Sequence, residues 1–95
     1  MYVRLVRFTF GPGKHSEAQG LATDLVPAIS NQKGCEAVAF FGDEVDGEYG
    51  ISILWETKED DAAASLIIRP SLQAGLTGKA RGSPDIRLFD VMETS

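Results

Sequence analysis

The segment Glu48-Tyr49-Gly50-Ile51-Ser52-Ile53-Leu54-Trp55-Glu56-Thr57-Lys58-Glu59-Asp60-Asp61 changes character in its middle. Up to Thr57 it is rich in β-branched and aromatic residues, the composition of a strand. From Lys58 onward three acids crowd what reads as the first turn of a helix, where free N–H groups favour negative charge. A strand over roughly residues 48–57 therefore runs directly into a helix. Upstream, Cys35 to Gly42 contains Ala37-Val38-Ala39-Phe40-Phe41 and reads as another strand. Asp43 to Gly47 lies between the two, with Asp46-Gly47 as the tight point of a turn. The spacing predicts a hairpin.

The same reading extends to both ends. Residues 2–10, Tyr-Val-Arg-Leu-Val-Arg-Phe-Thr-Phe, form a strand stopped by Gly11-Pro12-Gly13. Tyr2, Arg4, Val6, Phe8 and Phe10 share one side of it; Val3, Leu5, Arg7 and Thr9 share the other. A helix follows, starting near Lys14 or at Ser16, which has capping-box spacing with Gln19. Ala18, Leu21, Ala22, Leu25, Ala28 and Ile29 form its apolar stripe. Pro27 is expected to kink it or end its regular bonding, and Gly34 to close it. The second helix is expected to break at Arg69-Pro70 and to resume as a second piece ending near Gly78. Residues 79–84 read as a loop, and Asp85 to Met92 as the last strand.

The resulting order is β-α-β-β-α-β, the α+β ferredoxin-like arrangement: a four-stranded antiparallel sheet with both helices on one face. Every strand carries apolar residues at both parities, so the second face needs cover. The simplest cover is the sheet of an identical subunit, giving a homodimer. At 95 residues the chain fits one domain, residues 1–95. Hydrophobic residues at 43% against 24% charged place it among globular chains. A net charge of −5 argues against nucleic acid and against an anionic membrane surface. No apolar run approaches the ~20 residues of a membrane span, no secretory leader is visible, and a single cysteine excludes an internal disulfide. The expected location is cytoplasmic.

Three segments then point to a group of proteins. Phe8-Thr9-Phe10-Gly11-Pro12-Gly13-Lys14, the Lys33-Gly34 stop, and Ile53-Leu54-Trp55-Glu56-Thr57-Lys58-Glu59 resemble the antibiotic biosynthesis monooxygenase superfamily over nearly the whole chain. The resemblance implies a dimeric α+β barrel with a small-molecule pocket between helices and sheet in each subunit. Some members of the superfamily oxidise aromatic polyketides to quinones without metal or flavin. Others degrade haem with a Trp in this strand, an Asn in strand 1 and a His in helix 2. Trp55 matches the Trp. Val6 stands about where the Asn would be, and the region of Ser65 where the His would be, so haem degradation of that type is not expected.

The chemistry on offer is sparse. One His and one Cys, far apart, make no metal site, and neither a phosphate loop nor a nucleophile elbow is present. No cofactor is expected. Trp55 is the leading catalytic candidate: its ring can wall a pocket and its N–H can reach a substrate oxygen, or it can simply anchor the core. Arg4, on the side of Val6 and Phe8, can steady an enolate or phenolate, or extend along its stem to water. Val6, Phe8, Ile53 and Ser65 are the expected substrate-binding residues, with Tyr49 and Ser52 as further polar groups within reach. Arg7 and Glu56 are expected to pair on the opposite face. His15 reads as a solvated residue or a proton shuttle, Cys35 as a small buried residue, and Glu59-Asp60-Asp61 as a charged helix start. The functional reading is a cofactor-independent monooxygenase of a small aromatic substrate. The alternative is a non-catalytic dimeric barrel, with a stress-related or unknown role, that binds a small apolar ligand.

Overall fold

The computed structural model describes residues 1–95. The elements are β1 (Tyr2–Thr9), α1 (His15–Ser30), β2 (Cys35–Asp43), β3 (Glu48–Trp55), α2 (Lys58–Leu76) and β4 (Arg81–Asp90). The sheet is antiparallel throughout, in the order β2-β3-β1-β4. This is the expected β-α-β-β-α-β arrangement. No helix is long and apolar enough to cross a membrane.

Register decides which side chains meet. Tyr2 lies opposite Trp55, Arg4 opposite Ile53, and Val6 opposite Ile51. On the far side of β1, Arg4 faces Leu88 and Val6 faces Ile86. Alternation then sends Arg4, Val6, Phe8, Ile51, Ile53, Trp55 and Ile86 toward the helices. The core gathers there around Val6, Phe8, Phe10, Ile29, Ile51, Ile53 and Trp55. The opposite face carries Val3, Leu5, Leu54, Phe41 and Phe89, with Arg7, Glu48, Asp85 and Arg87 among them. Phe41 and Phe89 keep 44% and 39% of their surface.

The hairpin turn forms as expected. Asp43 Oδ1 accepts from the Val45 and Asp46 amides, and Gly47 takes φ +74°. Gly47 also accepts from the amides of Phe10 and Gly11 through its carbonyl, which ties the turn to the end of β1. A Cβ at Gly47 would collide with the Gly11 backbone, so both conformation and space require glycine.

Of the two starts expected for α1, the one near Lys14 holds: the helix starts at His15 after Lys14, with no side-chain cap, and Ser16 is not its cap. Three expectations are corrected. Gly34 is left-handed as expected, but α1 ends earlier, at Ser30. Helix α2 is one piece and passes through Pro70. Pro70 leaves the Leu66 carbonyl without its helical donor, and Leu66 is on the water side, where solvent can take the donor's place. Strand β4 begins at Arg81, not Asp85. It is an edge strand, so Pro84 removes no required ladder bond, and a register irregularity between Arg7 and Thr9 absorbs the misfit.

Candidate functional site

Helix α2 opens with Thr57 as its cap, the Thr57 hydroxyl accepting from the Asp60 amide at 3.0 Å. This fixes the rotation of the first turn and directs Asp61 at the sheet. Residues 61, 65, 68 or 69, 72 and 76 then recur at helical spacing and form the stripe that faces β1, β3 and β4. The stripe begins with a carboxylate and ends with leucines.

Asp61 meets Arg4. Arg4 Nε donates to Asp61 Oδ1 at 3.0 Å and Arg4 Nη2 donates to Oδ2 at 2.5 Å. The Asp61 side chain retains 4% of its surface and that of Arg4 17%. A two-pronged guanidinium–carboxylate contact is the strongest form of side-chain ion pair, and burial requires it here. Arg4 Nη1 has no protein partner. The acidic run at 59–61 is therefore not simply a charged helix start: its last member is an interior group with an assigned counter-ion.

Beside this pair lies a chamber of about 30 Å³, enough for about two waters. Arg4, Val6, Ile53, Trp55 and Ser65 all line it, together with Asp61. Trp55 is 1% exposed, and its indole Nε1–H is buried without a hydrogen-bond partner. An unpaired buried donor is costly, which makes this N–H a point of attachment for an acceptor. Ile29, Ile51, Ile68, Leu72 and Ile86 complete the apolar wall, and Arg69 also reaches it. Arg69, Leu72 and Ile86 are shared with a groove of about 440 Å³ that runs between the second half of α2 and the start of β4. That volume is in the range of small-molecule sites.

The remaining candidates fall elsewhere, for reasons the register supplies. Phe8 does not line the chamber. Two residues beyond Val6 on β1, it belongs to an aromatic cluster with Phe10 at 5.2 Å, Phe40 at 5.9 Å and Tyr49 at 6.4 Å between ring centres. Ser52 lies opposite Leu5 and Ala39, on the face away from the helices. Tyr49 is buried and faces the helices, yet it lines a separate cavity of about 130 Å³ with His15 and Phe40. Its hydroxyl has no partner. His15 is exposed and stands 3.4 Å from Glu44. Arg7 pairs with Glu48, not Glu56, because Thr9 is opposite Glu48 while Glu56 lies past the other end of β3. Cys35 is half-buried, and burial pushes its thiol pKa upward, away from nucleophile behaviour.

Sequence reasoning missed Asp61 and Arg69. The signal for Asp61 was its distance of four from Ser65 on the helix; the signal for Arg69 was its distance of eight from Asp61.

No protein-family model and no curated protein matches the sequence. Solved structures do match it in shape. SnoaB, a cofactor-independent oxygenase from Streptomyces nogalater, superposes with a TM-score of 0.78 at 16% identity, over 98% of this chain and 94% of SnoaB. An antibiotic biosynthesis monooxygenase matches with a TM-score of 0.75 at 16% identity, over 98% of this chain and all of that one. The NE2512 protein of unknown function from Nitrosomonas europaea reaches a TM-score of 0.85 at 15% identity, over 99% of this chain and 91% of its own. The resemblance drawn from Leu54-Trp55-Glu56 is thus borne out at the level of shape: the chain has the fold of the antibiotic biosynthesis monooxygenases.

Proposed function

We propose that the chain is a cofactor-independent monooxygenase of a small aromatic substrate, held between α2 and the sheet, and that it works as a homodimer. One observation carries this reading. Trp55, whose indole N–H is unpartnered, lines one chamber with the Arg4–Asp61 pair, Ser65 and Arg69, its other walls apolar, beside a groove large enough for fused rings.

The chemistry follows from those groups. A substrate with an acidic C–H, such as an anthrone, lies in the groove with its reacting edge at Trp55. Asp61, the only carboxylate lining the chamber, takes the proton. The Trp55 N–H and the free Arg4 Nη1 donate to the oxyanion that forms. The carbanion passes an electron to O₂, the two radicals join through a new C–O bond, Asp61 returns its proton to the outer peroxide oxygen, and loss of water from the hydroperoxide leaves the quinone carbonyl. One O₂ enters; one oxygen atom stays on carbon and the other leaves in water. The apolar walls exclude solvent from the carbanion.

The dimer reading rests on the open sheet face, where Phe41, Phe89, Leu5 and Leu54 are too apolar a set to face water. A second copy would cover them. With one cysteine and no helix able to span a membrane, the reading places its work in the cytoplasm.

An oxygen electrode with a panel of anthrones and quinols tests the activity. Protein-dependent uptake is expected, falling about tenfold or more in Trp55→Phe. Uptake no faster than in protein-free buffer, or indifferent to Trp55→Phe, overturns the reading. Sedimentation tests the dimer: a stable monomer at micromolar concentration contradicts it. The non-catalytic alternative draws support from the Arg4–Asp61 pair, whose prongs close on each other. Under it, ligands bind near Trp55 and no oxygen is consumed.

A further inference from the structure

Arg69 lines both the inner chamber and the outer groove, so it stands where the two join. It has neither an ion pair nor a side-chain hydrogen bond. Arg4 and Arg7, by contrast, each hold a carboxylate, and Arg87 lies 4.8 Å over the Phe89 ring. The helix offers Arg69 no acid: Ser65 and Leu66 precede it by four and three residues, and Leu72 and Gln73 follow by three and four. The groove contains no acid either, and Arg69 is its only charged lining residue.

Charge balance then gives the sign of the site. The chain as a whole is −5. Within the chamber and groove, Asp61 is matched by Arg4, which leaves Arg69 as a net positive charge. An excess cation exposed at the edge of an apolar pocket in an acidic protein, with Leu72 and Ile86 lining the same pocket, is a recognition element for an amphipathic anion: apolar rings on the leucine and isoleucine, and an anionic group on the guanidinium. Arginine suits a carboxylate in particular, because its planar fork can meet both oxygens.

We propose that Arg69 is the specificity residue of this pocket and that the ligand is a fused-ring aromatic acid, its carboxylate on Arg69 and its rings directed along the groove toward Trp55. This rests on the chamber beside Trp55 being the substrate site. The carboxylate takes no part in the oxygenation; it sets orientation, so that the reacting edge arrives at Trp55, Arg4 and Asp61.

The test uses 1-naphthoate and 1-naphthamide, alike in shape and different in charge. The full chain has a single tryptophan, so one indole N–H resonance in a ¹H–¹⁵N spectrum reports occupancy of the chamber. At low salt, naphthoate is expected to bind about tenfold more tightly or better, the ratio that one charge-assisted hydrogen bond supplies. The preference should vanish in Arg69→Gln and largely persist in Arg69→Lys; both changes are at an exposed position that leaves the core intact. Equal binding of the two probes overturns the proposal, as does a preference that survives Arg69→Gln. If naphthamide moves the Trp55 resonance as well as naphthoate does, the anion proposal falls and the pocket reading stands. If neither probe moves it, both fall together.

Discussion

Under α1 the sheet surface is aromatic, interrupted by the cavity of about 130 Å³ beside Tyr49 and His15. Phe10, Phe40 and Tyr49 each hold their ring centres within 6.4 Å of Phe8, and Ala18, Leu25 and Ile29 are the buried, apolar face of the helix. Under α2 the same sheet meets an ion pair, an unpaired indole and a groove. The two helices lie on one face of one sheet, and their sequences differ where it matters. Helix α1 presents alanine, leucine and isoleucine at its buried positions; α2 presents Asp61, then Ala64, and returns to leucine only at Leu72 and Leu76. One half of the layer stabilises the fold, and the other half gives up packing to hold an ion pair out of water.

That division can be broken by substitution. Phe8→Ala, on the aromatic side, removes a 4% exposed ring and is expected to cost about 3–5 kcal/mol of stability. Turnover per folded molecule should stay within about twofold, because Phe8 does not line the chamber. Urea unfolding beside the oxygen assay checks both. Arg4→Met, on the open side, strands the Asp61 carboxylate in the interior. It should cost a similar ~3–5 kcal/mol and abolish turnover. Adding Asp61→Leu to that variant is expected to restore most of the stability, since an apolar pair can replace a buried ion pair, while turnover stays lost. Recovery of activity in the double variant would remove the pair from the chemistry.

Smaller effects compare the helix starts. Thr57→Ala deletes the cap of α2 and should destabilise by about 1 kcal/mol. Lys14→Ser gives α1 the cap it lacks and should stabilise by up to about 1 kcal/mol. Thermal unfolding of the two variants checks both signs. Least of all, Cys35 should alkylate more slowly than a free thiol at mildly alkaline pH. Its pKa is raised by burial, so the thiolate fraction there is reduced, and the rate should climb only as pH rises further.

The order of elements was legible because it depends on local pattern: alternation in β1 and β3, the Asp43–Gly47 turn, acids at the start of α2. Proline was misleading. Pro70 reads as a break and Pro84 ends a segment that reads as a loop, yet each sits where the missing N–H is not needed, one on the wet side of a helix and one on an edge strand. Long-range pairing was not legible at all. Arg4 and Asp61 are 57 residues apart, and only the β1–β3 register together with the Thr57 cap brings them into contact. The grouping of Trp55, Val6, Ile53 and Ser65 is legible from position on the strands and helix. Phe8 shares the face of Val6 without sharing its chamber, because alternation gives the face of a strand and not how far along that face a helix reaches.

A crystal structure of the protein soaked with an anthrone's quinone product tests the division between the two helices most directly. Density is expected between α2 and β4, against Trp55, with the rings over Leu72 and Ile86. Density under α1 instead, in the cavity of Tyr49 and His15, would place the working site on the aromatic side of the layer and contradict the division.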